Sequence, residues 1–297
     1  MDKDGTRNAP FATFGQAGLF DCGWLACEGA LAQYCRALLV VDVAPRPPLD
    51  LTIVPHESYV VSLQLAAGPD PLARGVAPEM MPHGCGWRGE AHTYQPAGDC
   101  RSFFALLTPE GALQLLGGQA MLPGAVPRQP LAHWLPAAPL RSLVDGLALE
   151  RDRGAQLRLF GEWLEGRLTR QAVVPWQARR AGRVLASVLQ SGQADIEEVA
   201  RVEAVSRRQL ERDLRRWFDT TPKQASLIGR VQAAARLGLQ GHALADIAYR
   251  LGFVDQAHMT HVVRRVAGVT PGQMVRSART ELSSALRAAT GGGLVYL

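Results

Sequence analysis

The 297-residue sequence has no apolar run of the roughly 20 residues that a membrane-spanning helix needs. Its first ten residues, MDKDGTRNAP, are polar and contain no apolar core of a secretion signal. Both absences argue against a membrane-bound or exported protein, so we expect a cytoplasmic protein without a membrane partner. The apolar fraction of 47% is ordinary for a globular protein, and the length predicts about two domains.

Cysteine is scarce and confined to the first 100 positions, at Cys22, Cys27, Cys35, Cys85 and Cys100. An odd number of cysteines without a CxxC pair argues against a disulfide framework. His83 and His92 lie close in sequence to the last two cysteines. Sensing of a metal or of thiol oxidation by this part of the chain therefore stays open as an alternative role. The spacing matches no standard zinc pattern, so we assign no metal site.

Catalytic motifs are absent as well. The sequence shows no Ser-His-Asp order, no glycine-rich phosphate loop and no paired-carboxylate motif. DNA-repair methyl acceptors combine a DNA-binding module with a reactive cysteine, but Cys22, Cys27 and Cys35 lack the close zinc-ligand spacing that activates such a thiol. We therefore expect neither an enzyme nor a cofactor, and we keep a methyl acceptor as an alternative.

Positive charge is concentrated in one part of the chain. Residues 178–280 hold 17 Lys and Arg against 9 Asp and Glu, whereas the rest of the chain holds 15 against 18. A basic region beside a mildly acidic one is typical of a nucleic-acid module joined to a partner domain. A solvated basic face would give the same numbers, so charge alone leaves both interpretations open.

Residues 1–125 are predicted to form a β-rich domain. Residues 37–43, 59–65 and 102–107 are short apolar or β-branched runs separated by segments rich in Gly and Pro. The last run leads into Thr108 and Pro109, a cap and a first-turn proline that predict a short helix.

Residues 126–172 are predicted to be a linker followed by helices. Prolines interrupt 126–139, and two apolar stripes at helical spacing follow, one over 140–147 and one over 157–168. Helices in this position either mediate a homodimer or cover the core of the first domain, and the sequence leaves both open.

The most informative feature is a repeat near the C-terminal end. RRWFDTTPKQ, which starts at Arg215, returns 49 residues later as RRVAGVTPGQ, which starts at Arg264. Each copy follows a short amphipathic helix, a turn and a second helix. The copies predict two helix-turn-helix units, 195–217 and 244–267, in an all-α domain of residues 173–280 that is followed by a tail of residues 281–297.

In the first unit, Asp195 is predicted to cap the supporting helix and Ser206 to cap the recognition helix. The apolar residues expected to face inward are Leu210, Leu214, Trp217 and Phe218. Arginine suits guanine edges and phosphates, and the candidate DNA-binding residues are Ser206, Arg207, Arg208, Glu211, Arg212 and Arg215. Glu211 either accepts from cytosine or pairs with a neighbouring arginine, and we favour the pair.

In the second unit, Gly252 is predicted to end the supporting helix of residues 244–251, and Asp255 to cap the recognition helix. The second turn is one residue longer than the first. The predicted inward residues are Met259, Val262, Val263 and Val266. The candidates to face DNA are Gln256, His258, Thr260, His261 and Arg264.

Each unit ends in Thr-Pro-x-Gln, at residues 221–224 and 270–273. The threonine suits a helix cap, the proline suits the first helical position, and the glutamine can close a capping box. After the first copy this predicts a long helix from Pro222 to about Gln240, which would fix the separation of the two units.

These residues carry a family resemblance. LADIAYRLGFVDQAHMTHVVRRVAGVTPGQM, residues 244–274, closely resembles the second helix-turn-helix of AraC/XylS-type transcription regulators, and residues 195–224 resemble the first. The resemblance extends over roughly residues 179–279 and implies a seven-helix DNA-binding domain. By position, it implies that the residues facing bases or backbone are Arg207, Arg208, Glu211, Arg212, Gln256, Ala257, Thr260 and His261.

The sequence also departs from the family pattern. Members often have an aromatic residue where Met259 stands, a basic residue where His261 stands and Phe where Val263 stands. These departures imply that the second unit contributes less to DNA contact than the first.

The N-terminal region more weakly resembles the sensor half of this family, which implies a small cupin-like β-barrel with helices and an α+β chain overall. Polar and aromatic residues on barrel strands would suit a small organic effector, although an ordinary surface loop is the alternative. The candidate effector residues are His83, Trp87, Arg88, His92 and Tyr94. By family analogy, we expect an effector-responsive activator that binds double-stranded DNA and contacts RNA polymerase.

Overall fold

The structure is a computed structural model that describes residues 12–16, 20–43, 51–54, 58–66, 79–80, 92–94, 100–115, 129–130, 135–168, 174–192, 195–277 and 279. Its strands are β1 (Ala12–Gln16), β2 (Phe20–Ala26), β3 (Cys35–Val43), β4 (Leu51–Ile53), β5 (Tyr59–Ala66), β6 (Glu79–Met80), β7 (His92–Tyr94), β8 (Cys100–Leu107) and β9 (Gln129–Pro130).

Seven strands form one antiparallel sheet in the order β1-β2-β3-β8-β5-β6-β9, and β4 pairs with β7 separately. The three strands predicted from the sequence are β3, β8 and β5, which lie side by side at the centre of the larger sheet. This confirms that the N-terminal region is rich in β-strands, and the sheet they form is antiparallel. The described strands do not close on themselves, so they do not show the expected cupin-like barrel.

The central strands are buried on both faces. Leu38 and Leu39 are neighbours on β3 that point to opposite sides of the sheet, and both are buried. Such strands are read as continuous apolar runs rather than as alternating patterns, which explains why ALLVV stands out in the sequence.

A short helix follows β8 as predicted. It is α1 (Pro109–Leu115), and the Thr108 hydroxyl caps it by accepting a hydrogen bond from the Gly111 N–H at 3.0 Å. A Cβ atom at position 111 would stand 2.0 Å from the Tyr34 carbonyl oxygen. Only glycine therefore lets α1 sit this close to the loop before β3.

Two helices, α2 (Ala137–Leu149) and α3 (Arg153–Leu168), follow in the region that was predicted to be helical. They are separated at Glu150, whose carboxylate accepts from the N–H groups of Arg151 and Asp152. Both apolar stripes are buried in the core of the chain itself, including Leu143 and Phe160. This packing favours the covering role over a dimer formed through the stripes.

An ion-pair cluster fastens α3 to the sheet. Arg153 contacts Asp21 of β2 at 2.5 Å and Asp42 of β3 at 2.6 Å, and Arg101 of β8 also contacts Asp42 at 2.6 Å. The cluster ties the first residue of α3 to neighbouring strands of the sheet.

The C-terminal part is helical, as predicted. Its helices are α4 (Trp176–Ser191), α5 (Ile196–Val202), α6 (Arg207–Phe218), α7 (Pro222–Leu239), α8 (Leu244–Arg250), α9 (Gln256–Ala267) and α10 (Pro271–Ser277). No helix in the described ranges is long and apolar enough to cross a membrane.

Two apolar cores run through the described residues. The first core is continuous from Leu25 in the sheet, through α1 to α6, to Ile228 in α7. The second core begins at Val231 in the same helix and includes α8, α9 and α10, with Val54 as its contribution from the N-terminal region. The first helix-turn-helix unit therefore shares a core with the sheet, whereas the second has a core largely of its own.

Candidate nucleic-acid interface

The first module consists of α5, a four-residue turn and α6. The Asp195 carboxylate accepts from the Glu197 N–H at 2.9 Å, and the Ser206 hydroxyl accepts from the Gln209 N–H at 3.2 Å. Both predicted caps are thus confirmed, and they begin each helix at a defined residue. Ala204 takes a left-handed φ of 53° inside the turn, which redirects the chain between the two helices.

The two faces of α6 are sharply different. The four predicted inward residues are all buried, and Ala200 of α5 is buried beneath them, so that the small side chain lets the helices approach. The helix presents five exposed arginines, which are the four predicted to face DNA, Arg207, Arg208, Arg212 and Arg215, and also Arg216. An exposed row of guanidinium groups can bind phosphates and guanine edges.

Glu211 lies within this row and is already paired. Its carboxylate accepts from Arg207 Nε at 3.0 Å, and Arg207 also reaches Glu197 at 3.3 Å. The hydrogen bond that Arg207 donates to Glu211, and then the one it donates to Glu197, raise the pKa of Arg207. The pair agrees with the favoured interpretation of Glu211 as a partner that orients an arginine.

A buried ion pair under α6 was missed from the sequence. Arg180 of α4 and Asp213 of α6 lie 2.5 Å apart, and both are almost fully buried. Gln209 donates to the other Asp213 oxygen at 2.6 Å. The sequence offered one signal, which was the charged Asp213 next to Leu214 on the inward side of an arginine-rich helix. Its partner was not identifiable because Arg180 lies 33 residues away.

The second module consists of α8, a five-residue turn and α9, so the predicted extra turn residue is confirmed. Gly252 has the predicted left-handed conformation, with φ of 67°. The Asp255 carboxylate caps α9 by accepting from the His258 N–H at 2.6 Å. The four predicted inward residues, from Met259 to Val266, are buried.

The outer face of α9 is exposed but less charged. Gln256, Ala257, His261 and Arg264 are exposed, whereas Thr260 is half-buried and donates its hydroxyl to the Gln256 carbonyl at 2.9 Å. His258 accepts from the Val254 N–H at 3.3 Å, and its ring meets Phe253 edge-on at 5.7 Å between centroids. The structure thus gives His258 a role in holding the turn.

The predicted connecting helix is α7, which begins at Pro222 with Thr221 as its cap. Its 18 residues span about 27 Å. It packs closely on α4, because a Cβ at Gly229 would lie 2.4 Å from the Leu189 carbonyl oxygen. The second Thr-Pro-x-Gln closes a full capping box, in which Thr270 accepts from the Gln273 N–H and the Gln273 side chain accepts from the Thr270 N–H.

The first module also touches the N-terminal sheet directly. Tyr59 of β5 and Phe218 of α6 lie 6.2 Å apart between ring centroids. A Cβ at Gly182 of α4 would meet the Glu110 backbone nitrogen of α1 at 3.7 Å. The C-terminal end of the first recognition helix therefore packs partly on the N-terminal domain.

Most of the candidate effector residues lie outside the part of the chain that the structure describes. His83, Trp87 and Arg88 lie outside the described residues, and His92 and Tyr94 lie on β7. The structure therefore does not test whether these five residues come together.

Three cysteines whose side chains are described do not resemble reactive thiols. Cys22, Cys27 and Cys35 are free and buried. Burial raises the pKa of Cys22, and a hydrogen bond with Cys35 followed by burial raises the pKa of Cys27. A thiol held in its protonated form is a poor nucleophile and metal ligand. Within the described ranges, no three His, Cys, Asp or Glu side chains group as a metal site requires.

Comparisons with known proteins fall on the same region. Residues 199–277 match a family described as a helix-turn-helix domain. The chain is similar to the C-terminal domain of AraT, a response regulator from Geobacillus stearothermophilus, with 23% identity, coverage of 36% of this chain and 88% of that chain, and a TM-score of 0.29. Sequence comparison with curated proteins gave no match.

Two further solved structures are similar. One is a DNA-binding transcriptional dual regulator from Escherichia coli K-12, with 23% identity, coverage of 37% of this chain and 99% of that chain, and a TM-score of 0.31. The other is ToxT from Vibrio cholerae, with 10% identity, coverage of 77% and 93%, and a TM-score of 0.39. The TM-scores are low, so the site rests on the family match and on its own geometry.

The chain carries an AraC-type helix-turn-helix domain in its C-terminal part, as the resemblance implied. The matched residues 199–277 contain both recognition helices and the whole of α7. Such a domain binds double-stranded DNA, so the match supports a DNA-binding transcription regulator.

Proposed function

We propose that this protein is a sequence-specific transcription regulator whose two recognition helices read two successive major-groove segments on one face of DNA. The observation that carries the proposal is the pair of capped helices, α6 and α9, each with an exposed polar face. Helix α9 packs against α7, and α6 packs against α4, which in turn packs on α7. Recognition helices enter the major groove with their N-terminal residues. A rigid helix between them would set the spacing of the two DNA segments.

The proposed contacts are divided unequally. Arginines of α6 would supply phosphate contacts and guanine contacts, whereas Gln256, Thr260 and His261 of α9 would supply the fewer contacts of the second segment. Phosphate contacts release counterions, so binding should weaken steeply as salt rises.

The test begins by selecting the preferred DNA sequence from a random library with the full chain. Arg208→Ala and Arg212→Ala are then compared with Arg179→Ala, which removes an exposed charge from α4. A base-reading arginine should cost about 1–3 kcal/mol of binding and relax the preference at one position. Uniform weakening on every sequence would identify a phosphate contact instead, and unchanged binding by both variants would disprove the docking.

We also propose an N-terminal sensor domain, with closure of the sheet into a small barrel, that makes the regulator an effector-responsive activator contacting RNA polymerase in the cytoplasm. The shared core of sheet and first module supports this, because a ligand that shifts the sheet would shift α6. A homodimer would use a surface other than the buried stripes of α2 and α3.

A further inference from the structure

A cavity of about 320 Å³ lies beside the first recognition helix, between its flank and the N-terminus of α4. Pro175, which precedes α4, and Gln177 in its first turn line one side of it. From α6 it is lined by residues one helical turn apart, which are Gln209, Arg212, Asp213, Arg216 and Trp217. Arg212 belongs to the predicted DNA-facing set, and Arg216 follows it one turn later, so the cavity borders the DNA face.

The wall of this cavity carries net positive charge. Arg212 and Arg216 are exposed and each brings a full charge. The carboxylate of Asp213 would oppose an anion, but Arg180 holds it at 2.5 Å and Gln209 donates to it at 2.6 Å. Because the Arg180–Asp213 pair is neutral as a unit, the two exposed arginines set the sign of the cavity.

Gln209 and Arg212 already donate to neighbouring side chains, but two other donors beside the cavity have no side-chain acceptor among the described residues. Trp217 is only 6% exposed, and its indole Nε1 has no hydrogen-bond partner among the described residues. The N-terminus of α4 has no side-chain cap and no acidic residue in its first turn. Buried donors are satisfied in most proteins and the first N–H groups of a helix favour an anion, so both features point to a missing acceptor.

We propose that this cavity binds a phosphate group, supplied either by the DNA backbone beside the first major-groove segment or by a free phosphate-bearing molecule. Two guanidinium groups, an indole N–H and a helix N-terminus all donate, and a phosphate oxygen accepts from each of them. The DNA source rests on the proposed function, whereas the free source does not. Since Arg212 would serve both, a free phosphate compound would compete with DNA.

The free source is tested by titrating the full chain with inorganic phosphate and following the indole ¹H–¹⁵N resonance of Trp217. Trp217→Phe keeps the aromatic bulk and assigns the signal. We expect a saturable shift in the wild type and in Arg179→Gln, which removes the same charge from an exposed position outside the cavity. Arg216→Gln should abolish the shift.

The DNA source is tested with double-stranded DNA of random sequence, by plotting the logarithm of affinity against that of salt concentration. Arg216→Gln should reduce the slope by about 0.9 for one lost phosphate contact, and Arg179→Gln should leave it unchanged.

The two measurements decide between the sources. A resonance shift alone assigns the cavity to a free phosphate compound, a slope change alone assigns it to DNA, and both together establish competition. If neither the resonance shift nor the slope change is observed, the proposal is wrong. If the wild type binds no DNA, the proposed function fails, but the phosphate titration still judges the cavity.

Discussion

The two helix-turn-helix modules have the same plan but different surroundings. Each has a capped twelve-residue recognition helix with a buried apolar face. The first joins the core of the N-terminal sheet and presents five exposed arginines, whereas the second packs in its own core and presents two exposed arginines beside Gln and His. The two modules thus have the same local fold. The arginines of α6 give the first module more positive charge, and its packing in the first core connects it to the sheet.

The largest expected effect separates the two cores. Phe218→Ala in the first core and Met259→Ala in the second should each destabilise the protein, by about 3–5 and 2–5 kcal/mol, because each empties a fully buried site. Hydrogen exchange should show lost protection in β5 only for Phe218→Ala, since Phe218 contacts Tyr59. Unchanged protection of β5 in that variant would contradict a shared core.

The next effect concerns the close packing of α7 on α4. Gly229→Ala places a Cβ 2.4 Å from a backbone oxygen of α4, so overpacking should cost about 1–3 kcal/mol in urea unfolding. Gly166→Ala is the matched control, because nothing lies within 4 Å of the added Cβ in α3. There the helix should gain about 0.5–1 kcal/mol. Equal stability of the two variants would refute the close approach.

A smaller effect compares the two caps. Ser206→Ala and Asp255→Ala should each cost about 1 kcal/mol, measured by thermal unfolding. The loss at Asp255 should be the larger, because its bond is shorter and its negative charge also favours the helix N-terminus. Asp255→Asn should retain most of the stability. A larger loss of stability in Ser206→Ala than in Asp255→Ala would contradict this prediction.

The smallest effects concern the DNA faces. Glu211→Gln should free Arg207 from the nearer of its two carboxylate partners and modestly tighten binding to DNA, with a steeper salt dependence. Thr260→Val should leave affinity unchanged, since the Thr260 hydroxyl already bonds the Gln256 carbonyl and Val keeps the methyl group. Filter binding at two salt concentrations measures both. A loss of affinity in Thr260→Val would assign the hydroxyl to DNA.

Local signals made the modules predictable. Asp195, Ser206, Thr221 and Asp255 cap helices through bonds to residues two or three positions away, so the information is contained in short segments. The burial of Leu210 or Val262 follows from helical periodicity in the same way.

Long-range contacts were not predictable in this manner. The Arg180–Asp213 pair, the contact of Tyr59 with Phe218 and the ion pairs of Arg153 join residues far apart in sequence. Strands β1 and β2 also escaped prediction, because their short segments lack a clear apolar alternation.

The division of the cores inside α7 has a consequence for building hybrid regulators. Ile228 belongs to the first core and Val231 to the second, so the seam crosses a continuous helix. A chimera that exchanges the whole region after residue 173 would separate Phe218 from Tyr59. A chimera that joins the two chains within α7, just after Ile228, would exchange only the second recognition helix and its own core. It should keep the effector response of the first parent and take the base preference of the second DNA segment from the other.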